Sequence, residues 1–308
     1  MKILKLVAKF LAKSKKHSQL YSIINCQSSI ICTKRNRSSN IHCSLFIVPC
    51  SLIVLMLFFS CSKQEQEKPI RIEKQAKNIY SLIFIDKTVS VSLKDTFTRV
   101  KYEKALQDII NQNIRQKDDK IEVFFIHENT SQAKVFTQTA KAEMKDTIGL
   151  NPTDVRAVKN SYQVALKRER NKMINKCKEA LLDPNTTFTK QYTDIWAVLP
   201  IIDKRNAKKK ENTDMKVYLL SDMVESMPGL ERRDFYKRAP FSKQEAQAWA
   251  EKDAKKFADI ELENIEIFYL LPFSPLSATN QNNPNILTYW EVLLGKLGLE
   301  ELKEFSTD

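Results

Sequence analysis

The sequence predicts an α/β fold: a doubly wound, mostly parallel sheet flanked by helices on both faces, with one antiparallel edge strand. Three observations predict it. Apolar runs of strand length recur at "IYSLIFI" (Ile79 to Ile85), "KIEVFFIH" (Lys120 to His127), "DMKVYLLS" (Asp214 to Ser221) and "NIEIFYLLP" (Asn264 to Pro272). Such runs mark strands covered on both faces. Helical patterns separate most of them, and strands that alternate with helices are joined by right-handed crossovers that leave them parallel. The weaker alternation of "AKVFTQTAKAE" (Ala133 to Glu143) reads as a shorter strand at an edge.

The helices follow in order. Phe97, Val100, Ala105, Leu106, Ile109, Ile110 and Ile114 form one apolar stripe after the first strand. Asn151 to Asp183 is a long helix, with Asn151 as cap, Pro152 at the first position, Asp154 in the first turn and a stop before Pro184. A Thr-rich loop leads to a short helix in "TDIWAVLPII". Ser242 to Asp259 is a helix whose Ser242 and Glu245 form a capping-box pattern. The last helix is "NILTYWEVLLGKLG". Trp196, Trp249 and Trp290 fall in helical patterns and read as packing residues. Cys177 reads as a small buried hydrophobe, and His127 as a satisfied polar group at a strand end.

The N-terminus is different in kind. Residues 1–60 hold nine Lys or Arg and no Asp or Glu, and "LFIVPCSLIVLMLFFS" (Leu45 to Ser60) is one apolar run. A charged segment before an apolar one is the pattern of an export signal. The "FFSC" that closes it resembles the lipobox of bacterial lipoproteins, which implies lipidation at Cys61. The alternative is an uncleaved transmembrane anchor. Either way the chain divides into a leader (1–60), a polar tether (61–77) and a globular domain (78–308), held at a membrane on its non-cytoplasmic side, in the cell envelope.

This division changes the charge argument. The 308-residue chain carries +13, but without the nine basic leader residues 41 basic and 37 acidic residues remain, a net of +4. The basic stretches "LKRERNKMINKCKE" and "DKRNAKKKEN" then read as solvated faces, and no aromatics interleave with them to stack on bases. Nucleic acid is therefore not an expected partner. Of six Cys, four lie in the leader, Cys61 is the lipid site and Cys177 alone remains, so no internal disulfide forms. One His in the domain excludes a multi-His zinc site. None of the four Gly lies in a phosphate-binding loop.

The chemistry-bearing residues gather at strand ends. The first apolar strand stops at Asp86, and Thr88 and Ser90 follow on alternate residues. One reading is a turn in which these side chains cap the next helix. The other is convergence on a hard cation: Mg²⁺ takes oxygen ligands and keeps several waters, so one or two carboxylates plus hydroxyls suffice. Thr193, at the mouth of the short helix, and Asp222, directly after the third apolar strand, offer further oxygens. Thr193 also reads as a plain N-cap. Asp194 and Glu225 read as solvated or capping groups. Asp86 sits where open α/β sheets bind ligands, beyond the carboxyl end of a strand.

"DKTVS", "YTDIWAVL" and "YLLSDMVES" together resemble the von Willebrand factor type A family, over roughly Ile79 to Gly298. The family's metal-ion-dependent adhesion site uses DxSxS, a later Thr and a still later Asp. Here Thr88 replaces the middle Ser, and Met223 stands where Gly is common. The resemblance implies that Asp86, Thr88, Ser90, Thr193 and Asp222 bind a divalent cation, Mg²⁺ with Mn²⁺ or Ca²⁺ as alternatives. An acidic residue of a partner protein would complete its coordination, with no reaction required. The expected function is thus a lipid-anchored binding module. Its alternatives are a metal-free scaffold and a metal-dependent phosphatase. The phosphatase would need a second carboxylate where Thr88 stands, and a Lys to neutralise the phosphoryl group.

Overall fold

Strand β1 (Asn78–Asp86) is the axis of the sheet: it pairs in parallel with β2 (Lys120–Ile126) on one side and with β4 (Thr213–Leu220) on the other. The computed structural model describes residues 76–273 and 282–306. The leader, Cys61 and most of the tether lie outside the described residues. β3 (Lys134–Thr139) pairs antiparallel with β2 and closes one edge. β5 (Ile265–Leu270) pairs in parallel with β4, and β6 (Leu302–Glu304) with β5. The order is β3-β2-β1-β4-β5-β6, that of a doubly wound fold whose winding reverses between β1 and β4.

Alternation along β1 explains the two cores. Tyr80, Leu82 and Phe84 enter one cluster, and Ile83 and Ile85 the other. Successive side chains of a strand point to opposite faces, and here both faces are covered. Helices α1 (Thr96–Asn113) and α2 (Pro152–Leu182) bury Tyr102, Leu106, Ile110, Met173 and Cys177 on the Ile83 side. Helices α3 (Val198–Asn206), α4 (Lys243–Ala254) and α5 (Pro284–Lys296) bury Leu199, Ala250, Trp290 and Leu293 on the Leu82 side. Leu82, Ile83, Phe84 and Ile85 are wholly buried, worth roughly 2 kcal/mol each in transfer terms. No described helix is long and apolar enough to cross a membrane.

The caps decide one open question. Asp95, not Asp86, Thr88 or Ser90, caps α1, accepting from the Thr98 amide at 2.8 Å. Asn151 caps α2, with Pro152 in its first turn, as the sequence predicts. Ser242 accepts from the Glu245 amide, but the Glu245 carboxylate accepts from Phe241 N–H, one residue before the position a capping box predicts. α4 gives way after Ala254 to a 3₁₀ turn, Lys255–Phe257, whereas the sequence pattern predicts helix as far as Asp259. β6 has no counterpart among the strands the sequence predicts. Three residues are too few to show a period, and it is held by its neighbour Phe305, whose ring packs edge-on against Tyr218.

Candidate metal centre

Parallel pairing places the carboxyl ends of β1 and β4 side by side, and with them Asp86 and Asp222. Asp86 is wholly buried and Asp222 nearly so. Asp86 Oδ1 accepts from the Thr88 amide at 2.9 Å and from the Thr88 hydroxyl at 2.5 Å. Its Oδ2 accepts from the Ser221 hydroxyl at 2.6 Å. The Thr88 hydroxyl is a hub: its oxygen also lies 3.1 Å from Ser90 Oγ and 3.3 Å from Thr193 Oγ1. Asp222 accepts from the Val224 amide at 3.0 Å and from the Tyr236 hydroxyl at 3.1 Å. The Ser90 hydroxyl bears on the Asp222 carboxylate as well. All five oxygen-bearing residues singled out in the sequence therefore meet in one cluster.

Two neighbouring loops are fastened together to hold it. Ser226 Oγ accepts from the Thr193 amide at 2.8 Å, and Ser226 N–H donates to the Thr193 carbonyl at 3.0 Å. Glu225, fully buried, accepts from the Ile195 and Trp196 amides at 2.7 and 3.1 Å and from Arg232 at 2.5 Å. Arg232 also pairs with Asp194 and lies over the Trp196 ring. Glu225 is thus a buried staple rather than a solvated group. Asp194 caps the next turn through the Ala197 amide at 3.0 Å. Thr193 does not cap α3, which begins only at Val198. That leaves its hydroxyl free to face Thr88.

Met223 has φ +62°, the left-handed conformation that Gly adopts at little cost. The side chain is wholly buried, and Trp290 Nε1 donates to its carbonyl at 2.8 Å. Packing and this hydrogen bond hold a backbone shape that would otherwise favour Gly.

Electrostatics make the cluster a poor place for two bare charges. Burial first, then the neighbouring Asp222, pushes the Asp86 carboxyl up to about 7. Burial also raises Asp222, against the hydrogen bonds from Ser90, Val224 and Tyr236. The adjacent cation is turned aside: Lys87 Nζ donates to the Ala180 and Leu181 carbonyls at the end of α2, at 3.2 and 2.7 Å, and lies over the Phe125 ring. Among the described residues no three His, Cys, Asp or Glu side chains are grouped to hold a metal. A cation here would have to rely on hydroxyl oxygens beside two carboxylates, a donor set suited to a hard ion.

The remaining single residues behave as read. Cys177 is buried, with its thiol pushed up to about 12 by burial. His127 Nδ1 accepts from the Asn129 amide at 3.0 Å. Trp196 and Trp290 are buried. Ser221, Tyr236, Glu225 and Arg232 were not among the candidate ligands. Ser221 adjoins Asp222 and could have been noticed. Tyr236 lies in a loop with no local pattern.

A doubly wound α/β domain with an oxygen cluster at its switch point is what fold and site together define. No family model matches the chain, and no curated protein does. Among solved structures, the chain is similar to a manganese-loaded TRAP protein of Plasmodium vivax, at 15% identity over 68% of this chain and 62% of that one, TM-score 0.32. It is similar to a von Willebrand factor type A structure from Catenulispora acidiphila, at 12% identity over 75% and 39%, TM-score 0.32. It is also similar to proximal thread matrix protein 1 of mussel byssus with a zinc-occupied MIDAS motif, at 8% identity over 71% and 47%, TM-score 0.30. The match thus spans 39% to 62% of the length of these three chains.

Proposed function

We propose that this chain is a non-catalytic binding module that grips a partner protein through a divalent cation, held by Asp86, Thr88, Ser90, Thr193 and Asp222. The supporting observation is the Thr88 hydroxyl, within hydrogen-bond reach of Asp86, Ser90 and Thr193 at once. A cation among these oxygens would offset the two buried carboxylates, and Mg²⁺ suits the donor set, with Mn²⁺ or Ca²⁺ as substitutes. An open groove of about 660 Å³ reaches Ser90 and Tyr236, lined also by Val89, Gln191 and Tyr192. It would admit an acidic side chain of the partner to the ion. Lipidation at Cys61 would hold the module at the cell envelope.

A metal-free scaffold is the second reading, favoured by one observation: hydroxyl and amide donors already satisfy both oxygens of Asp86. A phosphatase has less support, because Thr88 stands where a second carboxylate would act and Lys87 is tied to α2. A pull-down from envelope extract, with and without chelator, tests the proposal. A partner lost on chelation, and lost again in Asp222→Ala, supports it. A partner retained in both cases points to the scaffold.

A further inference from the structure

We propose that the amino-terminal pole of the sheet, opposite the Asp86 cluster, docks on an anionic phospholipid surface. The orientation this sets rests on the lipid-anchor reading above; the docking face itself rests on the fold.

The chain enters the fold at this pole. The Asn78 amide donates to the Asn212 carbonyl at 3.0 Å, and Asn78 pairs with Thr213 at the start of β4. The basic stretch "DKRNAKKKEN" (203–212), the last turn of α3 and the connection that follows it rather than a loop throughout, therefore lies beside the point where the tether arrives. Between them runs a groove of about 370 Å³, lined by Lys120, Lys208, Lys209, Lys210 and Tyr80, with Asp118 its one lining carboxylate. Lys208 and Lys210 are exposed, and Lys209 is fixed by donating to the Asn264 carbonyl at 3.1 Å. Tyr80 is only 6% exposed; its hydroxyl faces the Glu122 carboxylate, and Lys120, which pairs with Glu122 at 2.7 Å, lies over its ring, so Lys208 and Lys210 are the groove's outward charges. Acidic residues of the same pole, Asp214, Glu263, Glu266 and Glu300, line a separate groove that runs from β4 toward β5 and β6, and Asp214 is paired with Lys77 at 2.8 Å. An anionic surface would thus meet the β2–β1 side and the lysines that follow α3.

The geometry also explains the use of such an orientation. β1 runs from the tether to the cluster, nine residues from Asn78 to Asp86, or about 26 Å at strand rise. With the lysines on lipid, the cluster points away from the membrane, toward a partner. Lysines near an anionic bilayer each strengthen binding by ~5-fold, and salt screens the effect. Nucleic acid fits less well, since the groove's aromatic residue, Tyr80, is buried and offers no face for stacking.

Residues 73–308 form one compact unit that carries both cores, so they are tested without the leader. Co-sedimentation is measured with vesicles of phosphatidylglycerol and phosphatidylcholine, and with phosphatidylcholine alone. The expected result is binding to the anionic vesicles only, released by high salt and unchanged when inorganic phosphate replaces chloride at constant low ionic strength. Replacing Lys208, Lys209 and Lys210 with Gln lowers partitioning by on the order of 100-fold. The control Lys167→Gln with Arg168→Gln, on exposed α2, leaves it within ~2-fold. Absence of binding, equal loss in the control, or release by phosphate alone overturns the proposal. The anchor reading fails separately, if the full chain with Cys61→Ser stays with membranes as the parent does after a high-salt wash, which releases the lysine face.

Discussion

Thr88 Oγ1 and Thr193 Oγ1 lie 3.3 Å apart although 105 positions separate them in the chain. One hangs from the carboxyl end of β1 and the other from the loop before α3. Their meeting depends on the sheet order, on the Glu225 staple, and on Thr193 not being spent as a helix cap. It gives the first prediction. Thr193→Val keeps the side-chain shape and removes the hydroxyl. Mn²⁺ affinity measured by calorimetry should fall about tenfold, since one neutral oxygen ligand is worth roughly 1–1.5 kcal/mol. Denaturant stability should change by less than about 1 kcal/mol, because no helix loses its cap.

The second prediction concerns pH. Asp86 is raised from 3.8 to about 7 by burial and by Asp222. The folded state therefore binds more protons than the unfolded state between about pH 4 and 7, and metal-free stability falls as pH rises through that window. Metal binding runs the other way, because the cation displaces the proton. Urea titrations with chelator should show stability greatest in mild acid. With Mn²⁺ present the loss toward pH 7 should shrink. A metal-free profile that is flat between pH 4 and 7 would count against this account of Asp86.

Glu225 supplies the third. Its carboxylate satisfies two buried amides and a guanidinium. Glu225→Ala leaves both amides without their acceptor and Arg232 with Asp194 alone, and should cost about 3–5 kcal/mol in urea unfolding. Glu225→Gln retains an acceptor oxygen and should cost less. Equal small effects in both would mean that the staple does not hold the Thr193 loop.

Met223 gives a fourth, decided by comparing two substitutions. Met223→Ala loses a buried side chain, about 2–5 kcal/mol, and keeps the left-handed strain. Met223→Gly loses the same side chain and relieves that strain. The Gly variant should therefore be the more stable of the two by about 1 kcal/mol, despite Gly's greater unfolded-state entropy. The reverse order in urea unfolding would show that φ +62° is not under strain.

The strands could be read because both faces of the sheet are covered, so Leu82 to Ile85 of β1 and Val217 to Leu220 of β4 are unbroken runs of strand-forming residues. Asp86, Thr88 and Ser90 could be read because a buried strand ending in oxygens breaks that run visibly. Asp222 follows β4 in the same way. What the sequence hid depends on distance along the chain. Glu225 and Asp194 look like ordinary surface carboxylates until Arg232 closes over them. Tyr236 reaches Asp222 from a loop with no periodicity, and β6 is too short to carry any. Thr193 stood at a helix mouth in the sequence, and only the start of α3 at Val198 separates a cap from a cluster member.

The most direct measurement is a calorimetric Mn²⁺ titration of the leaderless domain at pH 8, alongside Asp86→Ala and Asp222→Ala. One saturable site in the parent, absent from both variants while their folds persist by circular dichroism, is the expected result. A parent that takes up no cation, or variants that bind as the parent does, would contradict the claim that these oxygens form a metal site.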